Sequence, residues 1–137
     1  MKLFTTTIIL SLFVWLSTDI AHAQNWATYQ ENEVLRIEIS DWNALDKKTS
    51  KDHDLIIFRY TNLTDQELVV HFKREYDYSN NGVSTPDTGY NLVLAPNSTS
   101  SYMDHQGDKT YYIFKKDNNG WIKSVLIDFR LKDLTTE

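Results

Sequence analysis

The sequence predicts an all-β protein, an antiparallel, immunoglobulin-like β-sandwich of about seven strands. Apolar and polar residues alternate at period two through most of the chain, which is typical of half-buried strands. Clusters of Asn, Asp, Ser, Pro and Gly separate the alternating segments and favour turns. Because no segment has a convincing helical pattern, the strands must pack on one another. A small closed barrel is the alternative arrangement.

Seven segments carry the strand pattern. They cover 34–40, 54–62, 68–78, 90–95, 98–103, 110–115 and 121–134. The segment 54–62 begins with consecutive apolar residues, which indicates a central strand covered on both faces. The segment 98–103 is rich in serine, so we expect a weak strand at a sheet edge. The preceding segment 26–35 is compatible with a short helix or an extra edge strand, and we favour irregular structure.

Polar segments between these strands are predicted loops. The segment 40–54 carries charged and turn-forming residues around a single tryptophan, Trp42. The segment 79–89 contains Asn-Asn-Gly and Pro-Asp-Thr-Gly, which favour positive φ and tight turns. A hairpin loop is expected at 116–120. The last strand should then place one apolar face on the core, formed by Trp121, Val125, Ile127, Phe129 and Leu131.

Ionisable side chains occupy alternate positions of 68–78. They are His71, Lys73, Glu75 and Asp77. A strand directs these residues to one face and the apolar set, Leu68, Val70, Phe72, Tyr76 and Tyr78, to the other. We therefore interpret the charged row as the wetted face of a strand and not as a catalytic site. A weak ion pair between Lys73 and Glu75 is expected on that face.

Arg74 interrupts the apolar face of the same segment. We expect its methylene stem to lie along apolar surface while its guanidinium reaches water. The alternative is an ion pair with a carboxylate such as that of Asp128.

The N-terminal residues 1–23 have the pattern of a cleavable signal peptide. Lys2 is followed by an apolar stretch, and Ala21 and Ala23 form an A-x-A cleavage signal, so cleavage is expected after Ala23. The apolar stretch would rise only about 13 Å as a helix, against the roughly 30 Å of a bilayer core. We therefore expect no retained membrane anchor. The prediction is a secreted or periplasmic protein with a single domain, 24–137.

Composition excludes several classes of function. The chain contains no cysteine, so it is neither a lipoprotein nor a thiol or iron–sulfur protein. Its net charge of −5 argues against binding to nucleic acid or to anionic lipid, since both require clustered basic residues.

Catalytic and metal-binding patterns are weak. The sequence has neither a nucleophile elbow nor a glycine-rich phosphate loop. His53, His71 and His105 lie in separate segments, and the loops 104–108 and 117–120 lack the ligand series of a calcium site. We therefore predict no catalytic residue, no metal ligand and no cofactor. Two glycosylation patterns begin at Asn62 and Asn97, and we interpret both as turn chemistry.

Exposed aromatic residues are the best candidates for ligand binding. Trp42 lies in the predicted loop 40–54, and Tyr78 and Tyr90 flank the predicted loop 79–89. Aromatic side chains at the loop ends of a sandwich often hold sugars or peptides. A simpler role for Trp42 is to close the open end of the core.

Three stretches resemble a known group of proteins. They are "FRYTNLTDQELVVHFKREYDY" (58–78), "LVLAPNSTSSY" (92–102) and "IDFRLKDL" (127–134). Their strand and turn pattern resembles that of small exported β-sandwich proteins of Bacteroidetes-type bacteria. The resemblance covers roughly 55–134. It implies the fold and export, and it implies no active site.

The function expected from these observations is that of a non-catalytic binding or scaffold module in the cell envelope or the extracellular space. Its partner would be an unknown protein or glycan. One alternative is a small secreted hydrolase that uses loop carboxylates. Another is an assembly subunit that pairs through the edge strand predicted at 98–103.

Overall fold

The structure, a computed structural model, describes residues 24–46, 51–80, 82–86, 88–117 and 124–137. These residues form ten strands and one 3₁₀ helix. The strands are β1 (Ala27–Glu31), β2 (Leu35–Asp46), β3 (Lys51–Asn62), β4 (Leu68–Tyr78), β5 (Gly82–Ser84), β6 (Tyr90–Leu94), β7 (Thr99–Ser101), β8 (Tyr112–Phe114), β9 (Lys116–Asp117) and β10 (Ser124–Thr136), and the 3₁₀ helix is Lys109–Tyr111. In this part of the chain no helix is long and apolar enough to cross a membrane. The predicted signal peptide, residues 1–23, lies outside the described residues.

The strands form two antiparallel sheets, which confirms the all-β prediction. In the first sheet the order is β1-β2-β3, and both β7 and β8 pair with the far side of β3. In the second sheet β5 and β6 pair with one side of β4, and β10 and β9 follow on the other side. The described strands remain two separate sheets and do not close into the barrel that was the alternative.

One hydrophobic core lies between the sheets. The ring of Phe58 in β3 meets the ring of Phe129 in β10 edge-to-face at 5.6 Å, and Tyr60 in β3 contacts Phe72 in β4 at 5.9 Å. The buried apolar residues are Leu35, Ile37, Leu55, Ile57, Phe58, Tyr60, Leu68, Val70, Phe72, Leu92, Leu94, Tyr102, Tyr111 and Ile113. Leu68, Val70 and Phe72 come from the apolar face predicted for 68–78, and Leu55, Ile57 and Phe58 come from the predicted central strand 54–62.

β3 is the central strand of its sheet, as predicted from its consecutive apolar residues. Ile57 and Phe58 point to opposite faces and both are 0% exposed, so both faces of β3 are covered. The N-terminal segment differs from the prediction of irregular structure: β1 is an edge strand that pairs with β2 from Ala27 to Glu31.

The β2–β3 hairpin is longer than predicted and changes the environment of Trp42. β2 continues to Asp46, and its partner β3 begins at Lys51. Trp42 therefore lies inside a strand, opposite Leu55, and the prediction of a loop is wrong for residues 40–46 and 51–54. The intervening residues 47–50 lie outside the described residues. The charged and turn-forming residues of this segment favoured a loop, although Trp42 and Ala44 alternate with exposed residues and pack against the core.

β10 also differs from the prediction, because its pairing with β4 contains a β-bulge that changes which side chains face the core. Leu126 lies opposite Tyr78 but Asp128 lies opposite Asp77, so one extra residue, Ile127, is inserted in β10. A single extra residue reverses which side chains face the core. Val125 and Ile127 are consequently 50% and 65% exposed, so the prediction that they face the core is wrong. Trp121 lies outside the described residues.

The segment 110–115 was predicted as one strand but begins with a 3₁₀ turn. The side chain of Asp108 accepts a 2.8 Å hydrogen bond from the N–H of Thr110 and so caps the helix Lys109–Tyr111. β8 follows in the first sheet and β9 in the second. Lys115 lies between them: its N–H donates to the carbonyl of Asp54 at 2.8 Å, and its carbonyl accepts from the N–H of Leu126 at 2.8 Å.

Arg74 is a buried cation, contrary to the expectation that its guanidinium reaches water. The residue is 1% exposed, and its guanidinium donates hydrogen bonds to three backbone carbonyls and to a tyrosine hydroxyl. The acceptors are Lys109, Thr110, Tyr112 and Tyr60. Its guanidinium also lies 4.5 Å from the ring centroids of Phe58 and Tyr90. No hydrogen bond joins it to Asp128, the alternative partner.

The turn after β3 depends on Asn62, which is 1% exposed. Its side-chain amide donates to the carbonyls of Gln66 at 2.7 Å and Ala95 at 3.0 Å, and its side-chain carbonyl accepts from the N–H of Thr64 at 2.9 Å. This buried position agrees with its interpretation as turn chemistry. The other glycosylation pattern begins at Asn97, which is exposed and has a positive φ of 51°.

Candidate functional site

A recess of about 590 Å³ opens at one end of the two sheets. We call it the end recess. It is lined by Asn43, Asp52, His53, Asp54, Phe114, Lys116, Ser124 and Val125. Small-molecule sites in proteins commonly have volumes of roughly 300–1,000 Å³, with an apolar part and a few polar groups. The size and the mixed lining of the end recess fit that description.

The end recess exists because the strands around it end at different heights. β8 pairs with β3 only from Leu55 to Ile57, so residues 51–54 of β3 extend beyond it. On the other side, Ser124 and Val125 begin β10 and pair with the two-residue strand β9. The recess lies between the projecting β2–β3 hairpin and the start of β10.

The polar wall is organised around the carboxylate of Asp54. Its two oxygens accept hydrogen bonds from the Asn43 amide at 3.0 Å and from the Lys116 ammonium at 2.9 Å. Asn43 lies directly opposite Asp54 in the β2–β3 register, which explains the contact between their side chains. The hydrogen bond from Lys116, followed by that from Asn43, holds the pKa of Asp54 below its ordinary value. Asp54 is therefore ionised at neutral pH.

The apolar wall is formed by Phe114 and Val125. Phe114 is 39% exposed, and its ring is held by edge-to-face contacts with His53 at 5.5 Å and with Tyr112 at 5.3 Å. Val125 is half exposed because of the bulge in β10. Large apolar side chains with this exposure, fixed in orientation and beside charged groups, are suited to contact a ligand.

Ser124 contributes a buried polar group that has no partner among the described residues. It lines the end recess, is 1% exposed, and its Oγ makes no hydrogen bond within the part of the chain that the structure describes. A buried hydroxyl without a hydrogen bond costs about 1–3 kcal/mol relative to a satisfied one. Such a group at a recess requires an explanation, and a bound ligand would supply one.

Asp54 is poorly suited to act as a general acid. A catalytic acid needs a carboxyl group that holds its proton near neutral pH, whereas the hydrogen bonds from Lys116 and Asn43 lower the pKa of Asp54. Among the described residues, no group of three or more His, Asp or Glu side chains is arranged to hold a metal ion.

The structure places the three predicted ligand-binding residues apart from one another. Trp42 is half-buried in the first sheet and packs against the core, as expected if it closes the end of the core. Tyr78 is in the second sheet and donates a 2.8 Å hydrogen bond to the carbonyl of Phe114. Tyr90 stacks on Phe72 at 5.3 Å. Neither tyrosine lines the end recess, although Tyr78 supports the backbone of Phe114.

Tyr90 lines a second, shallower recess of about 220 Å³. The charged row on β4 contributes two of its lining residues, His71 and Lys73. His71 Nδ1 lies 2.6 Å from the side-chain oxygen of Asn91. Lys73 lies 3.9 Å from Asp133, so it pairs across to β10 and not along the strand with Glu75. The row is half-buried, and it faces away from the core as predicted.

The predicted edge strand at 98–103 is only three residues long in the structure. β7 pairs with β3, and the segment 24–33 does not cover it because β1 pairs with β2. However, the N–H of Ser101 already donates a hydrogen bond to the side chain of Asp104 at 3.1 Å. This geometry does not favour strand addition at β7.

Sequence reasoning missed Phe114, Asn43, Asp54 and Lys116 as members of one site. The signal for Phe114 was present, since Ile113 faces the core and its neighbour in a strand must face away. The Asn43–Asp54 contact depends on the register of a hairpin whose length the sequence did not reveal. No sequence signal brings Lys116 to Asp54, because the contact joins two different sheets.

Comparison with known proteins adds no relative. No family model matches the chain, and neither a curated protein nor a solved structure shows significant similarity to it. The resemblance to small exported proteins of Bacteroidetes-type bacteria therefore stays a prediction.

Proposed function

We propose that this chain is an exported, non-catalytic binding module that holds a small ligand in the end recess. The recess itself is the observation that carries the proposal. It combines an ordered ion pair, Asp54–Lys116, an exposed aromatic ring, Phe114, and a buried hydroxyl without a partner, Ser124. A structural scaffold has no need of this combination.

Export is supported by the signal-peptide pattern of residues 1–23. A cleaved signal would release residues 24–137 into the periplasm or the medium. The test is N-terminal sequencing of the protein recovered from culture medium and envelope fractions. We expect Gln24 as the first residue, and a mature protein that keeps Met1 would overturn the proposal of export.

The immunoglobulin-like arrangement is part of the same proposal. Two antiparallel sheets share one core, and the chain crosses between them from β3 to β4 and again from β6 to β7. Crossing connections of this kind are typical of immunoglobulin-like sandwiches, in which the loops at one end carry recognition. The end recess lies at such an end.

The proposed site is tested by titrating the purified protein with a library of small polar ligands and following backbone amide shifts by NMR. We expect shifts concentrated at Asn43, Asp54, Phe114, Lys116 and Val125. Val93 is a matched control, since it is an exposed valine on β6 and does not line the recess. Shifts centred on Tyr90 and Asn91 would assign binding to the second recess and refute the proposed site, and the absence of any shift would refute ligand binding.

A further inference from the structure

We infer that the ligand of the end recess is an uncharged saccharide, bound through one ring that stacks on Phe114 and through hydroxyl groups that reach Asp54 and Lys116. The inference rests on the proposed function of the recess and names the class of its ligand. It follows from the balance of charge, the exposed ring and the mixture of donors and acceptors.

The balance of charge disfavours ionic ligands. An anion would approach Lys116 but would also face the carboxylates of Asp52 and Asp54, and a cation would meet the ammonium of Lys116. Lys116 and Asp54 already neutralise each other through a 2.9 Å ion pair. Like-charge contacts in a partly enclosed site are unfavourable, so a neutral ligand fits the recess best.

The polar groups match the hydroxyls of a sugar. A hydroxyl both donates and accepts a hydrogen bond, so neighbouring hydroxyls on a ring need acceptors and donors close together. Asp54 supplies acceptors, and Lys116 supplies donors: an ammonium has three N–H groups, of which one is used by Asp54. The Oγ of Ser124, which has no partner, adds a group that both donates and accepts at the same recess.

The apolar groups match the C–H face of a sugar ring. The face of an aromatic ring is electron-rich, and it attracts the weakly positive hydrogens of aliphatic C–H groups. Phe114 is held by His53 and Tyr112, so little side-chain entropy is lost when a ligand covers it. A polar peptide or a free amino acid would need an additional site for its charges.

Trp42 does not extend this surface. It is not among the described residues that line the end recess, and Leu55, which lies between Trp42 and Phe114 in the register of the first sheet, is 3% exposed. The described lining therefore offers one aromatic ring, that of Phe114, and the saccharide should bind through one sugar ring.

The test is isothermal titration of the purified protein with three sets of oligosaccharides: neutral hexose oligomers, uronic-acid oligomers and hexosamine oligomers. We expect binding of at least one neutral oligomer and weaker binding of the charged sets. Phe114→Ala should weaken binding about tenfold or more, as expected for the loss of an aromatic contact. Trp42→Phe should leave saccharide binding unchanged, because Trp42 packs against the core and is not among the described residues that line the end recess.

Lys116→Met keeps the length of the side chain and removes its hydrogen-bond donors, so it should weaken saccharide binding. This variant keeps the inference testable if Phe114→Ala does not fold. Val93→Ala is the control and should bind like the parent protein. Preference for charged oligomers, or equal affinity in Lys116→Met, would overturn the saccharide inference. If no oligosaccharide binds but amino acids or peptides shift the NMR signals of the end recess, the saccharide inference fails and the proposed function stands. If no tested ligand shifts the NMR signals of the end recess, the saccharide inference and the proposed function both fail.

Discussion

Arg74 Nη1 donates a 2.7 Å hydrogen bond to the backbone carbonyl of Lys109, the first residue of the 3₁₀ helix. This contact joins β4 of the second sheet to the segment that leads into β8 of the first. The charge of a buried arginine is usually balanced by a carboxylate. Here backbone carbonyls and the rings of Phe58, Phe72 and Tyr90 take that role. The guanidinium therefore positions the 3₁₀ helix on the core.

Arg74→Lys should lower the free energy of unfolding by about 2–4 kcal/mol, because a compact ammonium cannot replace a planar guanidinium that contacts several carbonyls at once. Urea unfolding followed by circular dichroism measures the change. Arg36→Lys is the matched control. Arg36 forms a surface ion pair with Glu31 in which both side chains are about 40% exposed, so the substitution should leave the free energy of unfolding nearly unchanged. Equal effects of the two substitutions would contradict the role assigned to Arg74.

Asn62→Asp should destabilise the protein by about 2–3 kcal/mol, because it replaces an amide donor by an oxygen that faces backbone carbonyls. Thermal unfolding at neutral pH measures the effect. Asn97→Asp makes the same chemical change at an exposed turn position, where aspartate tolerates the positive φ. Its unfolding temperature should stay close to that of the parent. A similar loss in both variants would show that the amide of Asn62 is not the cause.

Stability should fall above about pH 10, the ordinary pKa of tyrosine. Burial raises the pKa of Tyr60, and burial followed by the hydrogen bond with Tyr90 raises the pKa of Tyr76. The folded protein keeps these protons after the unfolded chain has released them, so the stabilisation is complete below pH 10 and is lost as the pH rises through the folded pKa.

Tyr76→Phe should reduce the slope of the free energy of unfolding against pH above about pH 10. Urea unfolding at a series of alkaline pH values measures this slope. Tyr29→Phe is a suitable comparison, since it removes the same hydroxyl group from a residue on the edge strand β1. An unchanged slope in Tyr76→Phe would exclude Tyr76 as a source of alkaline unfolding.

Ser124→Ala should raise the free energy of unfolding by up to about 1 kcal/mol, because it removes a buried hydroxyl that has no hydrogen bond. The same substitution should weaken ligand binding if the Oγ contacts the ligand. Ser79→Ala is the control and should lower the free energy of unfolding, since Ser79 Oγ accepts a 3.1 Å hydrogen bond from the N–H of Val125. A loss of stability in Ser124→Ala would mean that its hydroxyl is satisfied in solution.

Local sequence patterns predicted the parts of the fold that depend on local alternation. β4 spans Leu68–Tyr78 as predicted, because its apolar positions recur at period two and only Arg74 interrupts them. In β10 the apolar residues Leu126 and Ile127 are adjacent, so the sequence alone does not say which of them faces the core. The bulge decides this, and it depends on pairing with β4.

The candidate site depends on contacts between distant segments, which is why sequence reasoning did not find it. Lys116 reaches Asp54 across 62 positions of the chain. The environment of Arg74 likewise depends on carbonyls 35 to 38 positions away. Residue types at these positions are unremarkable, and only the packing of the two sheets gives them a shared role.

The two hydrogen bonds of Lys115 have a consequence for the kinetics of binding. By joining the carbonyl of Asp54 to the N–H of Leu126, this residue fixes the separation of the two sheets beside the end recess. We therefore expect the ligand proposed for the end recess to enter a space whose width is already set, without a slow rearrangement of the strands. Association should be a single, concentration-dependent phase at about 10⁵–10⁷ M⁻¹s⁻¹ or faster, and differences in affinity between ligands should arise mainly from their rates of dissociation.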